Sequence, residues 1–132
     1  MTIARRRFLE LAGAAAAAPL LPAAASSQQH GETMFGLIGK MTAVPGKRDE
    51  LAQVLLDGTK DMPGCLSYVV AKDPEDADAL WITEVWDSKA SHEASLKLPS
   101  VQAAIAKGRP LIAGFSSRVE TVPLGGHGLR RG

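Results

Sequence analysis

CLSYVVAK at residues 65–72 and ALWITEVWD at residues 79–87 are rich in β-branched and aromatic side chains and are separated by Asp73-Pro74-Glu75-Asp76. Such side chains suit a pleated, half-buried surface, and an acidic segment with a proline suits a loop of several residues, so the two runs read as a β-hairpin. In the second run Leu80, Ile82, Glu84 and Trp86 share one face by period two. That face sets one carboxylate among three apolar groups.

Upstream, Phe35, Leu37 and Met41 alternate with Gly36, Ile38 and Lys40, which predicts a strand over residues 34–42 that Pro45-Gly46 ends. Leu51, Val54, Leu55 and Gly58 then fall on one stripe of a helix of about three turns. Asp49 and Glu50 lie early in it and Lys60 late, as the helix dipole favours. Met62-Pro63-Gly64 closes it with a turn. Downstream, Ser88 suits the N-cap of a short helix reaching Leu96. Pro99 breaks that helix, a second stretch carries Val101, Ala104 and Ile105, and Gly108 with Pro110 ends it. Phe115, Val119 and Val122 mark a last strand before the Gly-rich tail, residues 124–132. The order β-α-β-β-α-β over residues 34–123, second helix broken, predicts an α+β ferredoxin-like domain. Its two crossovers place the helices on one face of a four-stranded antiparallel sheet and leave the other for a partner.

At the N-terminus, Arg5-Arg6-Arg7-Phe8-Leu9 precedes an Ala-rich stretch that ends in Ala23-Ala24-Ala25. A cationic head, a weakly apolar core and small residues at alternate positions read as an export signal over residues 1–25, cut after Ala25. The paired arginines followed by Phe-Leu resemble a twin-arginine signal, although Ala4 and Glu10 depart from the usual pattern. The expected location is periplasmic or secreted, with membrane contact only during export. A retained anchor fits less well, because Pro19 and Pro22 interrupt a span that needs about 20 predominantly apolar residues. Residues 26–33 read as a polar, flexible leader.

Charge argues against a polyanionic partner. Removing Arg5, Arg6, Arg7 and Glu10 with the signal leaves 12 basic and 13 acidic side chains, with no basic block before Arg130-Arg131, so no nucleic-acid partner is expected. Cys65 is the only cysteine, so no disulfide forms within the chain, and no Cys/His cluster has zinc-ligand spacing. The site is expected to use no metal and no cofactor. The mature chain keeps only five aromatic residues, Phe35, Tyr68, Trp81, Trp86 and Phe115. So thin a core gains from packing against a second copy, and a homodimer is expected.

The stretch Glu84-Val85-Trp86-Asp87-Ser88, with Ala90, His92-Glu93-Ala94-Ser95-Leu96 and Pro99-Ser100-Val101, resembles the signature of the antibiotic biosynthesis monooxygenase (ABM) family, particularly its quinol monooxygenases. The strand that runs from Met34 to Gly46, and Pro63-Gly64-Cys65 before the second strand, are similar too. The resemblance covers about residues 34–122. It implies a homodimer whose two sheets close into an α/β barrel, with a pocket in each subunit between sheet and helices. It also implies chemistry from a range that includes oxygenation of aromatic polyketides or quinols without metal or flavin, haem degradation, and isomerisation of small carbonyl compounds. Ser95 and Ser100 stand where relatives often carry histidines, and His92 sits one residue along from a third.

Read from the residues, Glu84 is a candidate acid or base, since a carboxylate among apolar groups is suited to proton transfer; the commoner fate of a lone glutamate is a surface pair with Lys or Arg. His92, one turn beyond Ser88, is the second catalytic candidate, because an imidazole can deprotonate a phenol near neutral pH. Trp86 and Tyr68 are the candidates for stacking on a planar substrate ring, Tyr68 also donating a hydrogen bond, with Trp86 as pocket wall and Trp81 as core. Arg109 is read as serving a helix dipole and His127 as part of a mobile tail. The reading that joins these is a cofactor-independent monooxygenase using O2 and a quinol-like or polyphenolic aromatic substrate. An isomerase would need two opposed acid/base groups, and a non-catalytic dimer that binds a small molecule or haem would need the pocket alone.

Overall fold

The structure, a computed structural model, describes residues 33–129, so the export signal and almost all of the leader lie outside the described residues. Four strands and three helices follow in the expected order: β1 (Phe35–Ala43), α1 (Arg48–Gly58), β2 (Cys65–Lys72), β3 (Ala79–Trp86), α2 (Lys89–Ser95), α3 (Pro99–Gly108), a 3-10 turn (Arg109–Leu111) and β4 (Ile112–Thr121). The strands lie in the order β2-β3-β1-β4, every neighbouring pair antiparallel, which is the ferredoxin-like α+β arrangement.

Period two sorts each strand between two faces. On the helix-covered face, register aligns Tyr68, Glu84 and Leu37 in one row, Val70, Ile82, Gly39 and Arg118 in the next, and Lys72, Leu80, Met41 and Phe115 beyond it. The helices cover these rows in two clusters. Phe35, Leu37, Trp86, Met62 and Val101 pack at one end, and Ala43, Leu51, Leu80 and Ile82 at the other. The opposite face carries the row Val69, Thr83, Ile38 and Val119, in which Val69 and Val119 are half exposed.

Local chemistry sets the element ends. Ser88 caps α2 by accepting the Ser91 N–H at 3.1 Å, and Pro99 opens α3 in the first turn, where a missing N–H costs nothing. Gly64, at φ 85°, makes the turn into β2 that an L side chain would strain. Lys60 lies beyond α1 rather than in its last turn, and instead stands 3.7 Å from Asp57. Val122 falls just past β4.

The hairpin loop is organised by Asp73. Its carboxylate accepts the Glu75 N–H at 2.7 Å, the Asp76 N–H at 3.1 Å and the Trp81 indole N–H at 2.9 Å, with the Lys40 ammonium at 3.4 Å. The Glu75 amide, then the Trp81 indole, hold the Asp73 carboxyl below the usual carboxylate range. Trp81 is thus not a core residue. Register pairs it with Lys40 on the face away from the helices, where the hairpin brings its indole to Asp73. Arg48 ties the start of α1 to the same loop, donating to the main-chain oxygens of Asp73 and Asp76 at 3.3 and 2.9 Å. Among the described residues no helix is long and apolar enough to cross a membrane.

Candidate functional site

A cavity of about 530 Å³ lies between the sheet and the helices. Leu51 and Leu55 from α1 and Val101, Ala104 and Ile105 from α3 line it on the helical side. Tyr68, Glu84 and Trp86 line it from the sheet, and His92 and Ser95 from α2. The wall is thus apolar, interrupted by a few polar groups, as a site for a small organic ligand requires.

Glu84 and His92 meet because β3 runs directly into the capped α2. The His92 Nε2 stands 3.9 Å from Glu84 Oε1, beyond hydrogen-bond length but within ion-pair range, and the two side chains are only 13% and 14% exposed. Trp86, two residues along on the same face, donates its indole N–H to that same carboxylate oxygen at 2.8 Å. The His92 ring packs against two aromatic rings, 5.2 Å from Phe35 and edge-on to Trp86 at 5.5 Å. Ser95 fixes the helix beneath it by donating its hydroxyl to the His92 main-chain oxygen at 2.6 Å.

Tyr68 faces Glu84 directly across the β2–β3 pair. Burial pushes its phenol well above its usual pKa, and the charges of Glu84 and then Cys65 push it further. Tyr68 therefore keeps its proton at any physiological pH and can act as a donor, not as a base. Burial likewise raises the Cys65 thiol, which removes it as a ready nucleophile.

The structure therefore brings Glu84, His92, Trp86 and Tyr68 to one cavity. It does not give them all the expected surfaces. Trp86 is 1% exposed, with its N–H already committed to Glu84, so it backs the wall instead of offering an open stacking face. Arg109 occupies the C-cap position of α3, its main-chain N–H donating to the Ile105 carbonyl oxygen, and it also lines the cavity. Phe115, by sequence a strand residue, lines the cavity while 69% exposed, with the partly exposed Leu96 and Ile105 also lining it. The signal that could have found it is its pairing with Met41 on β1, which depends on the β4 register. His127 lies in a turn of the tail and does not line this cavity. No group of three or more His, Cys, Asp or Glu among the described residues is placed to hold a metal ion.

The family model for "Antibiotic biosynthesis monooxygenase" matches residues 34–107. A crystal structure from Chloroflexus aurantiacus, assigned by name to the same family, is 66% identical, with a TM-score of 0.73 over 74% of this chain and 100% of that one. The chain belongs to the antibiotic biosynthesis monooxygenase family. Two more distant structures share the fold: a Pseudomonas aeruginosa protein, 22% identical with a TM-score of 0.62 over 70% of this chain and 96% of its own, and one from Caulobacter crescentus, 23% identical at 0.59 over 68% and 87%. At those identities the likeness speaks for the fold. No curated protein matches the chain significantly.

Proposed function

We propose that this ABM protein is a cofactor-independent monooxygenase of a quinol-like or polyphenolic aromatic substrate. The observation that carries the reading is the Glu84–His92 pair, 3.9 Å apart and largely buried at the wall of an apolar cavity of about 530 Å³. A phenol in that cavity presents a proton to the pair, and the proton comes to rest on a group with an oppositely charged or hydrogen-bonding neighbour. Tyr68, which keeps its own proton, can donate to a substrate oxygen. The electron-rich phenolate passes one electron to O2, the radical pair combines at a ring carbon, and the resulting hydroperoxide loses water. For a simple quinol one oxygen atom enters the ring, the other leaves as water, and the product is a hydroxyquinone. All four electrons come from the substrate, so the scheme needs no other reductant. The apolar wall shields the radical pair and peroxide from water.

Two opposed acid/base groups would favour an isomerase. Glu84 and His92 instead stand side by side, which suits one proton acceptor and its orienting partner. The test is aerobic and anaerobic incubation of purified protein with a panel of quinols, following oxygen uptake and product mass under isotopically labelled dioxygen. One labelled atom in the product supports the reading. Faster autoxidation with no label incorporated overturns it, and binding without conversion leaves a sequestering protein.

We further propose export through the twin-arginine route and a homodimer joined through the helix-free face. The half-exposed Val69 and Val119, in one row with Ile38, favour that face.

A further inference from the structure

Gly39 stands in the middle of β1, where a glycine weakens a strand and needs a reason. The backbone does not supply one. Gly39 has no positive φ, and the extra residue of the neighbouring bulge, Ser116, lies on β4. A methyl group built on Gly39 would meet only the Ser117 carbonyl oxygen, at an ordinary 3.5 Å. What the missing side chain does is open space. In its row Gly39 lies between Ile82 and Arg118 on the helix-covered face, next to the row that holds Tyr68 and Glu84.

A recess of about 160 Å³ occupies that position, lined by Leu37, Gly39 and Ile82 and by the polar residues Lys40, Ser117 and Arg118. A cavity of about 150 Å³ with apolar walls is enough to hold one benzene ring. The recess shares Met41, Tyr68, Glu84 and Phe115 with the main cavity, so the two adjoin beside the candidate proton acceptor. Two of the shared residues adjust easily: Met41 is unbranched and Phe115 is 69% exposed.

We propose that the recess over Gly39 is a second subsite, which takes an apolar, ring-sized substituent of an aromatic substrate whose reacting ring lies beside Glu84 and His92. The proposal rests on the main cavity being where the reacting ring binds. Gly39 is then a specificity residue: a larger side chain there fills the recess and leaves Glu84, His92 and Tyr68 in place.

The test compares wild type with Gly39→Ala and Gly39→Val, using hydroquinone and phenylhydroquinone as probes. Binding is read anaerobically from tryptophan fluorescence, and turnover aerobically. Gly39→Val should bind hydroquinone within about twofold of wild type but weaken phenylhydroquinone by roughly tenfold or more, the loss expected when a buried aromatic ring no longer fits. Gly39→Ala should fall between, with a Tm no lower than wild type, because alanine is better suited than glycine to a strand interior. Equal losses for both probes, or no change for either, would overturn the subsite. Because binding is measured without O2, a wild type that binds both probes and oxygenates neither refutes the oxygenase reading while leaving the subsite intact.

Discussion

Gly58 ends α1 packed against Ala104 and Ser100 of α3, and the absence of its side chain is what permits that approach. A methyl group there would overlap the Ala104 methyl and stand 3.2 Å from the Ser100 carbonyl oxygen. Both methyl carbons are fixed directly to backbone, so no rotamer relieves the contact and the helices must separate. Gly58→Ala gains roughly 0.5–1 kcal/mol in helix propensity. Overpacking of this kind costs about 1–3 kcal/mol. The packing term wins, and the expected net loss is about 1–2 kcal/mol, a Tm lower by roughly 5–15 °C for a domain of this size. The same separation should loosen the helical wall of the cavity, since Leu51 and Leu55 sit on one helix and Val101 and Ile105 on the other. Thermal unfolding by circular dichroism of Gly58→Ala, Ala104→Gly and the double variant closes the cycle. The double variant should be at least about 1 kcal/mol more stable than the sum of the two single effects. A Gly58→Ala protein as stable as wild type, or strictly additive effects, would show that the helices are not held together by this contact.

For catalysis, Glu84→Gln and His92→Gln should each lower turnover by roughly 10²-fold while largely preserving substrate affinity, because proton transfer is needed only in the reaction; full activity in both would move the chemistry to the substrate's own ionisation. Tyr68 is the only tyrosine, so ultraviolet difference absorption in alkali reports it alone: the phenolate band should appear above the usual value of 10.0 in native protein and near it in urea, and Glu84→Gln should narrow the gap. Since the folded value is the raised one, this group's contribution to stability is complete below the unfolded pKa and is lost as pH climbs from there through the folded value. Changing Arg5 and Arg6 together to Lys should leave the precursor in the cytoplasm; fractionation that finds it exported normally would leave only a general secretory signal. Light scattering should give about twice the subunit mass, since a stable homodimer here would bury on the order of 2,000 Å², and a folded monomer at micromolar concentration would contradict the barrel.

Much of the fold was legible because its signals are local. The period-two runs at 65–72 and 79–87, the Ser88 cap and the proline at the start of α3 each act within a few residues, and each element formed where its own chemistry placed it. The proximity of the candidate residues was legible in the same way: Glu84 and Trp86 share a strand face by alternation, and His92 follows one turn after a cap on the next helix. Trp81 shows where that reasoning stops. Its alternation put it opposite Trp86, but aromaticity alone does not say which sheet face the helices cover, and its partner Asp73 arrives only through the hairpin.

The rest depended on contacts far apart in sequence. Phe115 reaches the cavity because β4 pairs with β1 past a bulge, and Gly39 opens a recess because that pairing sets it between Ile82 and Arg118. Local energetics bias a residue toward helix or strand and choose its capping partners. Register, by contrast, follows from how whole faces fit together, and with it goes the shape of the space they leave empty. The residue types of the candidate site were therefore written in the sequence, while the volume beside them was decided by tertiary packing.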